Sequence, residues 1–162
     1  MPNFFQDIIS NDPRLHSPST IADMLLLEPI TRGLVADMIT DAKAKGINLM
    51  VFETFRSQER QQLLFNQRKT KLQQVGVHHY GLAADIVKDV NGQPSWDGDF
   101  SFMGKLAQAH HLLWGGDWGN PNIKHAFVDS VHVQRCSLAR QPELFSGQWY
   151  PSDDYDPLTV AP

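Results

Sequence analysis

Gly76-Val77-His78-His79-Tyr80-Gly81-Leu82-Ala83-Ala84-Asp85 is the stretch from which the rest of the chain is read. Gly81 permits a tight turn, and the small residues Ala83 and Ala84 lead into an apolar run that lasts to Val90. Asn91-Gly92 then supplies a turn pair that strongly favours a hairpin, so Ala83 to Val90 is predicted as a strand. A hairpin-like return at Gly81 brings His78 and Asp85, seven positions apart, toward one point.

Outward from that strand, Ile47 to Phe55 is apolar and β-branched and too short for a typical helix, which predicts a second strand. Before it, Leu34, Val35, Met38, Ile39 and Ala42 recur at helical spacing within Thr31 to Lys45, and Gly46 is a good terminator. After it, Ser57 is placed to cap a helix with Arg60 at its third position, running toward Gln74. Ser101 to His111 reads as a helix, Trp96 to Asp99 as a loop and Leu112 to Trp118 as an aromatic, glycine-rich segment. Ala126 to Gln134 reads as a third strand. Residues 1–30 are broken by Pro2, Pro13, Pro18 and Pro29, with a turn at Ser17-Pro18-Ser19-Thr20 that caps a short helix through Leu27. Composition changes after Gln141-Pro142, and the prolines and aspartates from Pro151 to Pro157, with the final Pro162, predict a tail that wraps the surface or is disordered. The expectation is one α+β domain with a small antiparallel sheet flanked by helices. Its parts are an N-terminal extension over 1–30, a central domain over 31–145 and a tail over 146–162.

The 162 residues carry a formal net charge of -4, with 41% hydrophobic and 20% charged residues, as in an ordinary globular domain. That balance argues against a nucleic-acid partner. Arg56, Arg60, Arg68, Lys69 and Lys71 do crowd one stretch, as a solvated helix face or as a surface for an anionic ligand. Cys136 is the single cysteine, so a disulfide framework and a cysteine-rich metal site are both excluded within the chain. Residues 1–11 lack a basic start followed by a long apolar stretch, and no apolar run approaches the ~18 residues of a membrane span. The expectation is a chain made in the cytosol without a signal peptide and without membrane insertion.

Two histidines and a carboxylate can hold one zinc ion with a coordination position left for water. His78 and Asp85 are two such donors, and His132 is a third from a distant segment, Val128-Asp129-Ser130-Val131-His132-Val133-Gln134. Asp129 is a spare carboxylate suited to take a proton from that water and pass it to a leaving amine. In a regular strand Asp129 and His132, three apart, point to opposite faces, so both serve one site only if the segment bends between them. His79, His110, His111 and His125 remain competing ligands on spacing alone.

His-x-x-Gly-x-Ala-x-Asp at His78, Gly81, Ala83 and Asp85, followed by Asp-x-x-His at Asp129 and His132, resembles the zinc D-alanyl-D-alanine carboxypeptidase and L-alanyl-D-glutamate endopeptidase family, peptidoglycan peptidases that include phage endolysins. Phe55-Arg56-Ser57 with Gln61 looks like its Tyr-Arg-Ser-then-Gln motif. Leu113-Trp114-Gly115-Gly116-Asp117-Trp118 is similar to its Trp-Gly-Gly-Asp-Trp segment, especially in the L-alanyl-D-glutamate branch. The resemblance spans roughly 31–135 and departs at Gly76, Phe55 and Val131, where the family usually has Ser, Tyr and Pro. It implies one Zn2+ held by His78, Asp85 and His132 at the sheet, Asp129 as acid/base and Arg56 as oxyanion partner. Gln61, Ser57, Tyr80, Asp117 and Trp114 are implied around the substrate or behind the ligands. The implied activity is bacteriolytic cleavage of peptidoglycan stem peptides at the L-alanyl-D-glutamate bond, by a monomer reaching the wall through a holin-type protein. The alternatives are D-Ala-D-Ala carboxypeptidase or dipeptidase chemistry on the same scaffold, and a non-catalytic peptidoglycan-binding module.

Overall fold

The computed structural model describes residues 3–159, which leaves the final Pro162 of the tail outside the described residues. Five helices, α1 (Phe4–Asp7), α2 (Pro29–Ala44), α3 (Gln58–Asn66), α4 (Met103–Ala109) and α5 (Gln141–Phe145), surround a five-stranded antiparallel sheet. Its strands are β1 (Leu49–Glu53), β2 (Ala83–Val90), β3 (Gln93–Ser95), β4 (Leu113–Trp114) and β5 (His132–Gln134). They run in the order β1-β2-β5-β4, with β3 also paired to β2. The α+β class and the small antiparallel sheet expected from sequence are both observed.

β2 spans the predicted residues and is the spine of the sheet. Asn91 at φ 55° and Gly92 at φ 83° form a two-residue turn of left-handed residues, which matches the strand twist and folds β3 back onto β2. α2 starts where Pro29 occupies the first turn and the buried Glu28 carboxylate accepts from the Ile30 and Thr31 N–H groups at 3.0 and 2.8 Å. It ends one residue short of the predicted Lys45, and Gly46 turns the chain at φ 82°. α2 and α4 bury Val35, Met38, Ala42, Met103, Leu106 and Ala107 against Ala84, Ile86 and Val133 of the sheet. Because strand side chains alternate, Asp85 and His132 must then face the other way.

Three predicted elements are corrected. The helix capped by Ser57 stops at Asn66 instead of running toward Gln74, with Arg68 at φ 58° turning the chain out into a loop over 67–76. The strand predicted from Ala126 is confined to His132–Gln134, because the His132 N–H bonds the Asp129 carbonyl at 3.2 Å and closes a turn. The short helix through Leu27 is a single 3-10 turn, Met24–Leu26, capped by Asp23 and not by the Ser17–Thr20 segment. β3 and β4, three and two residues long, carry too little pattern to be read from sequence.

The segment after residue 145 is tied to the sheet by Arg135, whose side chain is fully buried. Arg135 donates to Glu28 at 3.1 Å and to the carbonyls of Ser152, Asp153 and Tyr155 at 2.5, 3.3 and 3.1 Å. The Tyr155 hydroxyl accepts from the Ser137 N–H at 2.9 Å, and the Tyr150 hydroxyl donates to the Tyr80 carbonyl at 2.7 Å. Through residue 159, the tail wraps.

Candidate metal centre

The site forms on the sheet face opposite α2 and α4. Asp85 lies beside His132 in the β2–β5 register and beside Glu53 in the β1–β2 register, so three polar residues stand in one row across three strands. His78 reaches the row from a 3-10 turn, Val77–Tyr80, closed by Gly81 at φ 75°. A Cβ at Gly81 would stand 2.9 Å from the Leu26 carbonyl oxygen, so the tight turn read from sequence requires glycine twice over.

His78, Asp85 and His132 are buried, and their ligand atoms lie within 4.8 Å of one another. Asp85 Oδ1 is 3.2 Å from His78 Nε2 and 3.4 Å from His132 Nδ1. The opposite ring nitrogens fix the tautomers. His78 Nδ1 stands 2.7 Å from the Thr54 carbonyl, which can only accept, so Nδ1 carries the proton and Nε2 offers its lone pair inward. His132 Nε2 stands 2.7 Å from Gln134 Oε1, and the Gln134 amide is oriented by donating to the Cys136 carbonyl at 2.6 Å. His132 therefore presents Nδ1. Two imidazole lone pairs and one carboxylate oxygen, each histidine braced through its other nitrogen, are the donor set and the bracing that a catalytic metal site requires.

Arg56 divides the Asp85 carboxylate. Its Nη2 donates to Asp85 Oδ2 at 3.1 Å and to Glu53 Oε1 at 2.8 Å, which leaves Oδ1 for the cluster. Glu53 is itself shared with Arg60 at 3.1 Å, and Arg56 Nη1 bonds Gln61 Oε1 at 3.4 Å. Burial alone would push the Asp85 pKa up, but the His78 and His132 rings facing Oδ1, when they carry protons, hold it well below the usual carboxylate range. Burial likewise opposes charge on His132, and it is outweighed by the Asp85 hydrogen bond and the nearby Asp129 charge, which raise the pKa. For Arg56 the Asp85 and Glu53 charges overcome desolvation, so the guanidinium stays charged.

Asp129 joins the site because the chain bends. The Asp129 N–H bonds the Gly115 carbonyl at 2.7 Å, and the Gly115 N–H bonds the His132 carbonyl at 2.8 Å. Trp114 Nε1 donates to the Ser130 carbonyl and Trp118 Nε1 to the Phe127 carbonyl, both at 2.8 Å. The Trp-Gly-Gly-Asp-Trp segment is therefore a clamp on the turn that carries Asp129, with the Trp118 ring 5.5 Å from that of His132.

A cleft of about 640 Å³ opens over this row, lined by Arg56, Gln61, His78, Asp85, Asp129 and His132 among others. Four of the residues placed around the substrate or behind the ligands, Ser57, Tyr80, Asp117 and Trp114, are not on its wall. The Ser57 hydroxyl accepts from the Arg60 N–H at 2.9 Å and donates to the Ser17 carbonyl, so it caps α3. The Tyr80 hydroxyl donates to the Phe145 carbonyl at 3.4 Å, Asp117 accepts from the Gly119 N–H at 2.9 Å in a turn, and Trp114 packs against the main core. The competing histidines point elsewhere. His79 is bonded to the Arg56 carbonyl among Phe5, Phe55 and Tyr80, His110 pairs with Asp41, His111 with Asp156, and His125 with the Asn120 carbonyl. Sequence reasoning missed Glu53 and Gln134. Gln134 had a signal, since it lies two positions after His132 on the same strand face. Glu53 had none.

The chain is similar to several known peptidases. The Bacillus subtilis peptidoglycan L-alanyl-D-glutamate endopeptidase CwlK is 29% identical over 141 residues, covering 74% of this chain and 81% of its own length. The L-alanyl-D-glutamate peptidase of Listeria phage A118 is 28% identical over 119 residues, of which the aligned part is 71% of this chain but 40% of the phage protein. The fold is shared with the Serratia marcescens L-Ala D-Glu endopeptidase ChiX, at a TM-score of 0.55 and 18% identity over 73% of this chain and 90% of that one. It is also shared with a Zn(II) complex of the D,D-pentapeptidase VanY from a VanB-type resistance cassette, at 0.52 and 14% over 67% and 71%. The profile of D-alanyl-D-alanine carboxypeptidases (VanY) matches residues 25–112. The chain belongs to the D-alanyl-D-alanine carboxypeptidase (VanY) family.

Proposed function

We propose that this protein is a zinc peptidase that cleaves peptidoglycan stem peptides at the L-alanyl-D-glutamate bond. The observation that carries the reading is the convergence of His78 Nε2, Asp85 Oδ1 and His132 Nδ1 in the wall of a cleft that also holds Asp129 and Arg56. When bound there, zinc supplies Lewis acidity and lowers the pKa of a coordinated water to about 7.

The chain's own residues do the rest. Asp129 is the base that takes the proton of the attacking water and returns it to the departing amine of D-glutamate. Arg56 spends four N–H groups on Glu53, Asp85 and Gln61, which leaves one Nη1 N–H to donate to the scissile carbonyl oxygen as it gains negative charge. Glu53 and Arg60 keep that guanidinium fixed, so little reorganisation is needed in the transition state. Residues 31–145 supply these groups, with 1–30 and 146–162 as packed flanks. We place the enzyme, acting as a monomer, in endolysin-like wall lysis after release by a holin-type protein, supported by the phage relative. Among the described residues no helix is long and apolar enough to cross a membrane.

The test is digestion of defined stem peptides, with mass spectrometry locating the new termini. A new D-glutamate amino terminus supports the reading. Release of terminal D-alanine instead assigns the chain the carboxypeptidase activity of its family profile.

A further inference from the structure

The basic stretch noted in the sequence divides into two kinds of cation. Arg56 and Arg60 are spent on Glu53 and Asp85. Lys69 and Lys71, also on the cleft wall, form none of the ion pairs among the described residues, and the Lys71 ammonium rests 5.8 Å from the Phe127 ring centroid across the cleft. The cleft thus carries more positive than negative side chains in a protein whose net charge is -4. A cleft opposite in sign to its protein concentrates anionic ligands.

The backbone that carries the lysines is tied to the site. Gln61, 2% exposed, bonds Arg56 through Oε1 at 3.4 Å and the Leu72 carbonyl through Nε2 at 2.7 Å. Thr70 Oγ1 lies 3.4 Å from the same Nε2 and accepts from the Leu72 N–H at 3.2 Å, while Gln58 Nε2 holds the Gln73 carbonyl at 2.9 Å. One buried amide therefore links the guanidinium beside the metal ligands to the loop that presents Lys69 and Lys71.

We infer that Lys69 and Lys71 form a carboxylate subsite that receives the free carboxylate of the substrate's D-glutamate. The inference rests on the proposed cleavage at the L-alanyl-D-glutamate bond. Only one of the two carboxyl groups of that glutamate is consumed in continuing the peptide, so the other stays as an anion on the leaving side of the scissile amide. Two ammonium groups without a carboxylate partner match it, and the lysines add specificity for this side of the bond.

The test uses two L-Ala-D-Glu-L-Lys peptides with amidated C-termini, one with the free glutamate carboxylate and one with that carboxylate amidated. The zinc-loaded wild type should favour the free form about tenfold in kcat/KM, the size of one charge-assisted hydrogen bond at a solvent-touched site. Lys69→Met/Lys71→Met should bring the ratio near unity, and Lys69→Arg/Lys71→Arg should keep it. Added salt should lower the wild-type ratio, since exposed charges are screened. A wild-type ratio near unity, or a ratio unchanged in the methionine variant, overturns the subsite while leaving the cleavage assignment intact. Failure of the wild type to release a D-glutamate amino terminus from either peptide overturns both.

Discussion

Replacing Gly115 by alanine puts a methyl group against the turn that carries the proposed base. The added carbon would stand 3.1 Å from His132 Cβ and 3.2 Å from Asp129 Cβ, and would overlap the Asp129 carbonyl oxygen outright. Ordinary carbon contacts sit near ~3.5–4.0 Å, so the Asp129 turn and β5 must separate by roughly 0.5–1 Å. Neither partner can yield as a flexible side-chain tip would, because a carbonyl oxygen and two Cβ atoms move only with the backbone. Overpacking of this kind costs about 1–3 kcal/mol in stability, and misplacing a reacting group by ~1 Å costs about 10²-fold in rate. Gly115→Ala should therefore lose about two orders of magnitude in kcat/KM on an L-Ala-D-Glu peptide while Tm falls by only about 2–12 °C. Gly33→Ala is the control: it lies inside α2 with nothing within 4 Å of the added carbon, so it should gain about 0.5–1 kcal/mol and keep full activity. A Gly115→Ala enzyme with wild-type kcat/KM would refute the claim that the glycine sets the position of Asp129.

Asp129→Ala should retain fold and zinc by metal analysis while losing most turnover, and equal activity would remove the proposed base. Arg135→Ala takes the cationic partner from the buried Glu28 carboxylate and a donor from three carbonyls, and breaking a buried pair on one side costs about 3–5 kcal/mol. At about 2–4 °C per kcal/mol for a chain of this size, Tm should drop by some 6–20 °C, and a shift under 2 °C would show that the tail is not anchored there. Burial pushes the Cys136 thiol up to about 12. At pH 8 roughly 10⁻⁴ of it is thiolate, so a thiol reagent should modify the native protein at its unfolding rate and the urea-unfolded chain at once. Rapid labelling of the native state would contradict that burial.

What the sequence made legible was local. β2 is bounded by Gly81 and Asn91-Gly92, α2 carries an unbroken helical stripe, and Ser57 caps α3 through the Arg60 N–H, so each is read from neighbours in the chain. The three candidate ligands were named by residue type and by family resemblance, and the fold brings them together. The bend at Asp129 was not legible, because Ala126, Phe127, Val128, Val131 and Val133 have a strand's composition. Two distant indole N–H groups and the Gly115 backbone impose the turn. Glu53 was invisible for a related reason. A carboxylate in a predicted strand reads as solvated until Arg56 and Arg60 are seen to enclose it.

The central claim is that three specific atoms share one ion, and a crystal structure of the zinc-loaded protein, with anomalous scattering at the zinc edge, tests it most directly. The account requires a single ion bound by His78 Nε2, Asp85 Oδ1 and His132 Nδ1 at about 2.0–2.2 Å, with Asp129 unligated beside it. Zinc held through His132 Nε2, or bound at His79 or His125 with the Asp85 row empty, would contradict it.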